Sequence, residues 1–232
     1  MDFTPEGPQA IPLWINGRAF LTVADGFLDV TNPATGEAIR RVPLCGASEA
    51  AEAVAAARAA QPLWADMGMQ ARRVCLGRLA EALDAYAGHF AKLLQQEALL
   101  DDAAASAEVA AAVDALQSAA VGDTGVVGLV LDPTRPLASF AAALAPALMA
   151  GATLVVKPSP KAPSAIYALC ELSARVEWPA GVLNLLQGDT AAVEGLCAAA
   201  VDRLLYAGNP ALGEQVGRIA AAAGTPFEML GG

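Results

Sequence analysis

Few residues of this 232-residue chain combine the type and the setting that chemistry needs. Lys157 closes the apolar run Thr153–Val156 and is followed at once by Pro158-Ser159. Ligands of open parallel sheets bind beyond the carboxyl ends of the strands, and an ammonium there is a point charge suited to an anion. A solvated lysine that merely ends the strand is the competing reading, and both stand. Gly208-Asn209-Pro210-Ala211-Leu212-Gly213 opens a helix: Asn is a good cap and Pro suits the first helical position. The start of that helix attracts an anion, or it is an ordinary capped helix; Pro210 in either case removes one amide donor. Cys45, Cys75, Cys170 and Cys197 are widely separated and form no CxxC pair. That spacing argues against a zinc site, a redox dithiol or a disulfide framework and for buried thiols in a reducing compartment. The single histidine, His89, belongs to a helical stretch and reads as a surface or packing residue.

The elements that must position these groups centre on Gly125–Ser159. Val126–Leu131 reads as a strand buried on both faces, Leu137–Ala150 as a helix of Ala and Leu, and Thr153–Val156 as a second strand. Pro136–Val156 is uncharged and long enough to cross a bilayer. Pro146, the turn at Gly151-Ala152 and the switch from Ala/Leu to Thr/Val instead make it a helix followed by a strand, with no membrane partner. A helix at Ser164–Arg175, a strand at Val182–Leu186 and a turn at Gly188-Asp189 follow. Then come a helix at Thr190–Ala200, a strand at Leu204–Ala207, a helix at Asn209–Ala222 and a strand at Phe227–Leu230. Alternation of this kind predicts an α/β fold, a Rossmann-like doubly wound parallel sheet with flanking helices. Residues 1–232 are expected to form one nucleotide-binding-type domain, with hairpins and helices in 1–121 and the βαβ core in 122–232.

Upstream, residues 1–12 read as an extended arm without the basic and apolar segments of a secretion signal, consistent with a cytoplasmic protein. Leu13–Val23 predicts a hairpin around Asn16-Gly17, followed by strands at Phe27–Thr31 and Ala38–Pro43. Ser48 is the expected cap of a helix that runs to about Ala60 and is broken by Pro62-Leu63-Trp64. Met69–Tyr86 is amphipathic, with Val74, Leu76, Leu79 and Leu83 on the apolar side and Arg72 on the other. Gly88 is expected to interrupt it before His89–Leu99, and Asp101-Asp102 to start a helix at Ala103–Ala120. The formal net charge of −10 argues against nucleic acid and anionic membranes as partners.

WINGRAF, NPATGEAI, GVVGLV, LAPALMAGATLVVKPS, PAGVLNLLQGD and DRLLYAGNPALGEQV, in this order, resemble the N-terminal, cofactor-binding half of the aldehyde dehydrogenase superfamily. The resemblance implies NAD or NADP as cofactor. Lys157, with Ser159 beside it, would lie at the adenosine ribose or its phosphate, and Gly208, Asn209 and Gly213 at the pyrophosphate. Pro160 stands where the family has an acidic residue for the ribose hydroxyls, which implies weakened or lost binding, or a preference for a phosphorylated ribose. Asp132-Pro133-Thr134-Arg135-Pro136 matches the segment whose asparagine holds the oxyanion; Thr134 takes that place, so the oxyanion site is expected to be lost. Arg135 either adds charge near the cleft or is an exposed loop residue. In FEMLGG, Met229 occupies the position of the general base, and Glu228 faces the other side of a strand unless a bulge turns it. The family's nucleophilic cysteine lies in the second half, and the hairpin that builds its tetramer is replaced by a few residues before Gly125. The chain therefore reads as a truncated relative, inactive alone, that acts as a structural or regulatory subunit of a larger assembly. Its partner, another protein or a second copy, would meet the surface normally covered by the second half. The alternatives are a nucleotide-binding module and one half of a split NAD(P)-dependent aldehyde oxidoreductase.

Overall fold

The computed structural model describes residues 7–118 and 120–231. The expected arm at 1–12 thus lies partly outside the described residues; within it, Ile11 is buried and its amide donates to the Arg41 carbonyl at 2.8 Å. β1 (Leu13–Ile15) and β2 (Arg18–Phe20) form the first hairpin, and Asn16 and Gly17 both take positive φ, as a tight two-residue turn requires. β3 (Phe27–Thr31) and β4 (Ala38–Pro43) pair as a separate two-stranded sheet.

Four helices follow: α1 (Ala47–Asp66), α2 (Met69–Ala85), α3 (Ala87–Glu97) and α4 (Asp102–Gln117). The core then alternates: β5 (Val126–Leu131), α5 (Pro136–Ala150), β6 (Thr153–Lys157), α6 (Ser164–Arg175), β7 (Leu183–Leu185), α7 (Thr190–Ala198), β8 (Arg203–Ala207), α8 (Pro210–Ala222) and β9 (Phe227–Leu230). The strands lie in the order β2-β1-β7-β6-β5-β8-β9, parallel from β7 to β9, with the β1–β2 hairpin added antiparallel to β7.

Side-chain alternation divides the interior into two cores, because successive strand residues point to opposite faces. Val127, Leu129, Leu131, Leu154, Val156 and Leu205 pack with α2, α4, α5 and α6. Val126, Val130, Val155, Leu204 and Tyr206 pack with α1, α7 and α8. The uncharged run from Pro136 separates into α5 and β6 at Gly151, which caps the helix in the left-handed conformation. Among the described residues no helix is long and apolar enough to cross a membrane.

The structure corrects five local expectations. Pro62 does not break α1, which continues to Asp66. Trp64 is fully buried and its Nε1 donates to the Leu148 carbonyl at 3.0 Å, so tertiary packing offsets a proline cost of about 3 kcal/mol. The cap of α1 is Gly46, not Ser48: Glu49 reaches back to accept the Gly46 amide at 3.1 Å. On α2, Val74 is exposed and Arg72 is buried, the reverse of the sequence pattern. The break between α2 and α3 falls at Tyr86, and Gly88 lies inside α3. α4 ends at Gln117, with Asp101 as its cap, accepting the Ala104 amide at 2.8 Å.

Two core helices begin without a capping side chain of their own, and each receives a carboxylate from elsewhere. Glu108 of α4 accepts the Leu137 amide at 2.9 Å at the start of α5. Glu97 of α3 accepts the Ser164 amide at 2.9 Å and the Ser164 hydroxyl at the start of α6, and Arg40 pairs with it at 3.2 Å. Negative charge at a helix N-terminus satisfies orphan amides and opposes the dipole. Burial nevertheless holds both carboxyls above the usual carboxylate range, only partly offset by these partners.

Candidate functional site

The carboxyl ends of the strands bring Lys157, Val130, Tyr206 and Met229 into one register row: Val130 pairs with both Lys157 and Tyr206, and Tyr206 with Met229. Parallel partners point to the same face, here the one covered by α1, α7 and α8. At the usual strand spacing, Lys157 and Met229 stand about 14 Å apart. Lys157 is 5% exposed, and burial drives its ammonium down to about 8, opposed in part by the Asp189 carboxylate. Met229 packs on α8, where a Cβ on Gly213 would come within 2.8 Å of its Cε and 2.9 Å of the Tyr206 ring. Gly213 therefore permits close contact between helix and sheet. The β8–β9 register runs without a bulge, so Glu228 belongs to the opposite face, beside Asp123, Arg203 and Pro146.

That opposite face carries a cavity of about 560 Å³ at the sheet's carboxyl edge, lined by Ala111 and Ala115 of α4, by Ala138, Ser139 and Ala142 of α5, and by Leu230. Asp132, Thr134 and Arg135 from the loop after β5 and Gly208 and Asn209 from the turn after β8 also line it, and we call these two segments its mouth. Asp132, at the end of β5, is 4% exposed and ties the two sides together. It accepts the Thr134 amide at 2.8 Å, the Thr134 hydroxyl at 3.0 Å and the Asn209 amide at 2.6 Å. The hydroxyl of Thr134 therefore already has its acceptor. Arg135 is exposed, and its charge eases the rise in the Glu108 carboxyl.

The predicted binding residues fall into two groups. Gly208 and Asn209 sit at this mouth, and Asn209 caps α8 by accepting the Ala211 amide at 2.9 Å. Lys157 and Ser159 lie across β5 and do not line the cavity. Ser159 is buried and shapes its own turn, its Oγ accepting the Lys161 amide at 3.3 Å. None of the four cysteines lines the cavity. Burial pushes the Cys45 thiol up to about 12, Cys170 well up, and Cys75 and Cys197 up. Among the described residues no group of three His, Cys, Asp or Glu is placed to hold a metal ion. His89 is exposed, edge-on to Phe90. Sequence reasoning missed Asp132; an acid followed by Pro-Thr at a strand end is the signal for a side chain that bonds the backbone two residues on.

An open α/β sheet with a cavity at the carboxyl edge, beside the switch from β5 to β8, is the doubly wound architecture. The chain matches the model of the Aldehyde dehydrogenase family over residues 21–124 and 123–232 and belongs to that family. It is 31% identical over 229 residues to the glutarate-semialdehyde dehydrogenase of Pseudomonas putida, a match covering 88% of this chain and 48% of that protein. It is 30% identical to the NADP(+) succinate-semialdehyde dehydrogenase of Escherichia coli, covering 82% of this chain and 44% of the other. The crystal structure of lactaldehyde dehydrogenase from Escherichia coli superimposes with a TM-score of 0.89 at 26% identity, covering 97% of this chain and 53% of that one. The chain spans about half the length of the curated relatives it matches.

The cofactor that the family implies is a dinucleotide, and the start of α8 is where its pyrophosphate would rest. The residues there do not fit it. The Asn209 amide donates to Asp132, the Ala211 amide to Asn209 itself, and the Gly213 amide to the Asn209 carbonyl at 3.0 Å, while Pro210 has none to offer. The Asp132 carboxylate, bonded to this turn through the Asn209 amide, carries the same sign as a phosphate.

Proposed function

We propose that the chain contributes fold and surface, not turnover: it is a non-catalytic aldehyde-dehydrogenase-type subunit that acts structurally or as a regulator within a larger assembly. The observation that carries this reading is the bond from the Thr134 hydroxyl to Asp132. It engages the side-chain donor at the place where an acyl-transfer site needs one aimed at a developing oxyanion. Met229 packed on α8, and a cavity lined, among the described residues, by no cysteine and no histidine, support the same reading, since covalent catalysis needs a nucleophile and a base within reach. The partner, a full-length relative or another enzyme, covers the cavity face and the neighbouring edge of β9. Met229, on β9, is an exposed apolar side chain at that edge.

The test pairs an assay with a capture. Purified chain incubated with simple aldehydes and NAD or NADP forms no reduced cofactor, and affinity capture from the native host returns a specific full-length relative or partner enzyme. Aldehyde-dependent reduction by the chain alone, or a monodisperse monomer that captures nothing specific, overturns the proposal.

A further inference from the structure

The turn that begins α8 holds an anion of its own. Asp132 is 77 residues from Asn209 in sequence, yet its Oδ2 receives the Asn209 amide at 2.6 Å, a short charge-assisted bond. The same oxygen takes the Thr134 hydroxyl at 3.0 Å and Oδ1 the Thr134 amide at 2.8 Å, so three donors from two loops converge on one carboxylate. Gly208 makes the approach feasible: a Cβ there would stand 2.2 Å from Asp132 Cγ, and its φ of +145° suits glycine. Among the described residues Asp132 has no ion-pair partner. Its charge is met by the amide and hydroxyl of Thr134 in its own loop and by the amide of Asn209, the cap of α8. The carboxylate also contributes, after burial, to pushing the Tyr206 phenol up to about 12.

We infer that Asp132 is an intramolecular carboxylate seated at the entry to α8, which engages the amide of the cap residue Asn209 and sets a like charge against phosphate-bearing cofactors there. A second anion arriving there meets a like charge at contact distance and finds the Asn209 amide engaged. The carboxylate is a clasp between the β5 loop and the β8 turn. This inference is independent of whether the chain works alone or within an assembly.

Thermal melts of the wild type, Asp132→Ala and Asp132→Asn test it, with formate, inorganic pyrophosphate and ADP-ribose as probes. The wild type shows no saturable shift with any of them at millimolar concentration. Asp132→Ala melts several degrees lower and recovers part of the loss on adding formate, a carboxylate small enough for the vacated place. Asp132→Asn keeps an acceptor without the charge, folds, and binds pyrophosphate in calorimetry at least tenfold more tightly than the wild type. Wild-type stabilisation by pyrophosphate or ADP-ribose equal to that of Asp132→Asn overturns the inference. So does a formate effect of the same size in the wild type and Asp132→Ala. If Asp132→Ala does not fold, the pyrophosphate comparison between the wild type and Asp132→Asn decides alone.

Discussion

Arg72 Nε donates to the Met149 carbonyl at 3.1 Å, near the carboxyl end of α5, from a side chain that is only 7% exposed. The same guanidinium donates to the Ala65 carbonyl at 2.7 Å and the Trp64 carbonyl at 3.3 Å, near the carboxyl end of α1. One fork therefore satisfies terminal carbonyls of two helices and opposes both dipoles.

Replacing Arg72 with Lys keeps the charge but loses the planar fork. Arg72→Lys is expected to lower stability by about 2 kcal/mol, and Arg72→Ala by more, because buried carbonyls are left unpaired. Urea unfolding followed by tryptophan fluorescence measures both, with Trp64 beside the lesion.

The α6 start depends on a carboxylate in α3. Glu97→Ala removes the acceptor of the Ser164 amide and hydroxyl and is expected to cost about 1–3 kcal/mol. For a chain of this size each kcal/mol lowers Tm by roughly 2–4 °C, which a circular dichroism melt resolves.

The carboxyls of Glu97 and Glu108 both stand above the usual range, chiefly through burial. A raised folded-state pKa means that the folded protein binds the proton more tightly than the unfolded one. Their contribution is complete below the unfolded value, about 4.3, and is lost as pH rises through the folded values. Glu108→Gln should flatten the fall in Tm with rising pH just above that value, and an unchanged slope counts against the assignment.

Lys157 has the opposite sign. Its folded pKa of about 8 lies below the ordinary 10.5, so the stability it contributes is present above 10.5 and lost as pH falls through about 8. At pH 7 the buried ammonium is a liability. Lys157→Met is expected to raise stability there by up to about 3 kcal/mol and to erase the gain that the wild type shows between pH 8 and 10. Denaturant titrations at pH 7 and pH 10 give both numbers.

Local signals carried most of the fold. The Asn16-Gly17 turn, the two-sided burial of β5 and β6, and the left-handed Gly151 are all written in short stretches of residue type. Long-range contacts were not legible. Pro62 reads as a break because the burial of Trp64 against α5 is invisible in sequence. Arg72 reads as solvated because its three carbonyl partners come from the ends of other helices. At the candidate site, Asn209 was legible as a cap, but the carboxylate that accepts its amide lies 77 residues upstream, in a loop that sequence reasoning read through Thr134 and Arg135.

The carboxylates that start α5 and α6 also set an order of events. The acceptor Glu97 lies 67 residues before Ser164, and Glu108 lies 29 residues before Leu137. A Ser or Asp cap forms within one turn of its helix, whereas these bonds wait for distant segments to meet, after loop closure has been accomplished. During synthesis the acceptors emerge first and the helices they complete emerge later. Bonds that form after the folding transition state stabilise the finished structure by slowing its opening, and losing them accelerates unfolding more than it delays folding. An Ala substitution at Glu97 or Glu108 that speeds unfolding more than it slows refolding identifies the starts of α5 and α6 as kinetic latches on the assembled core.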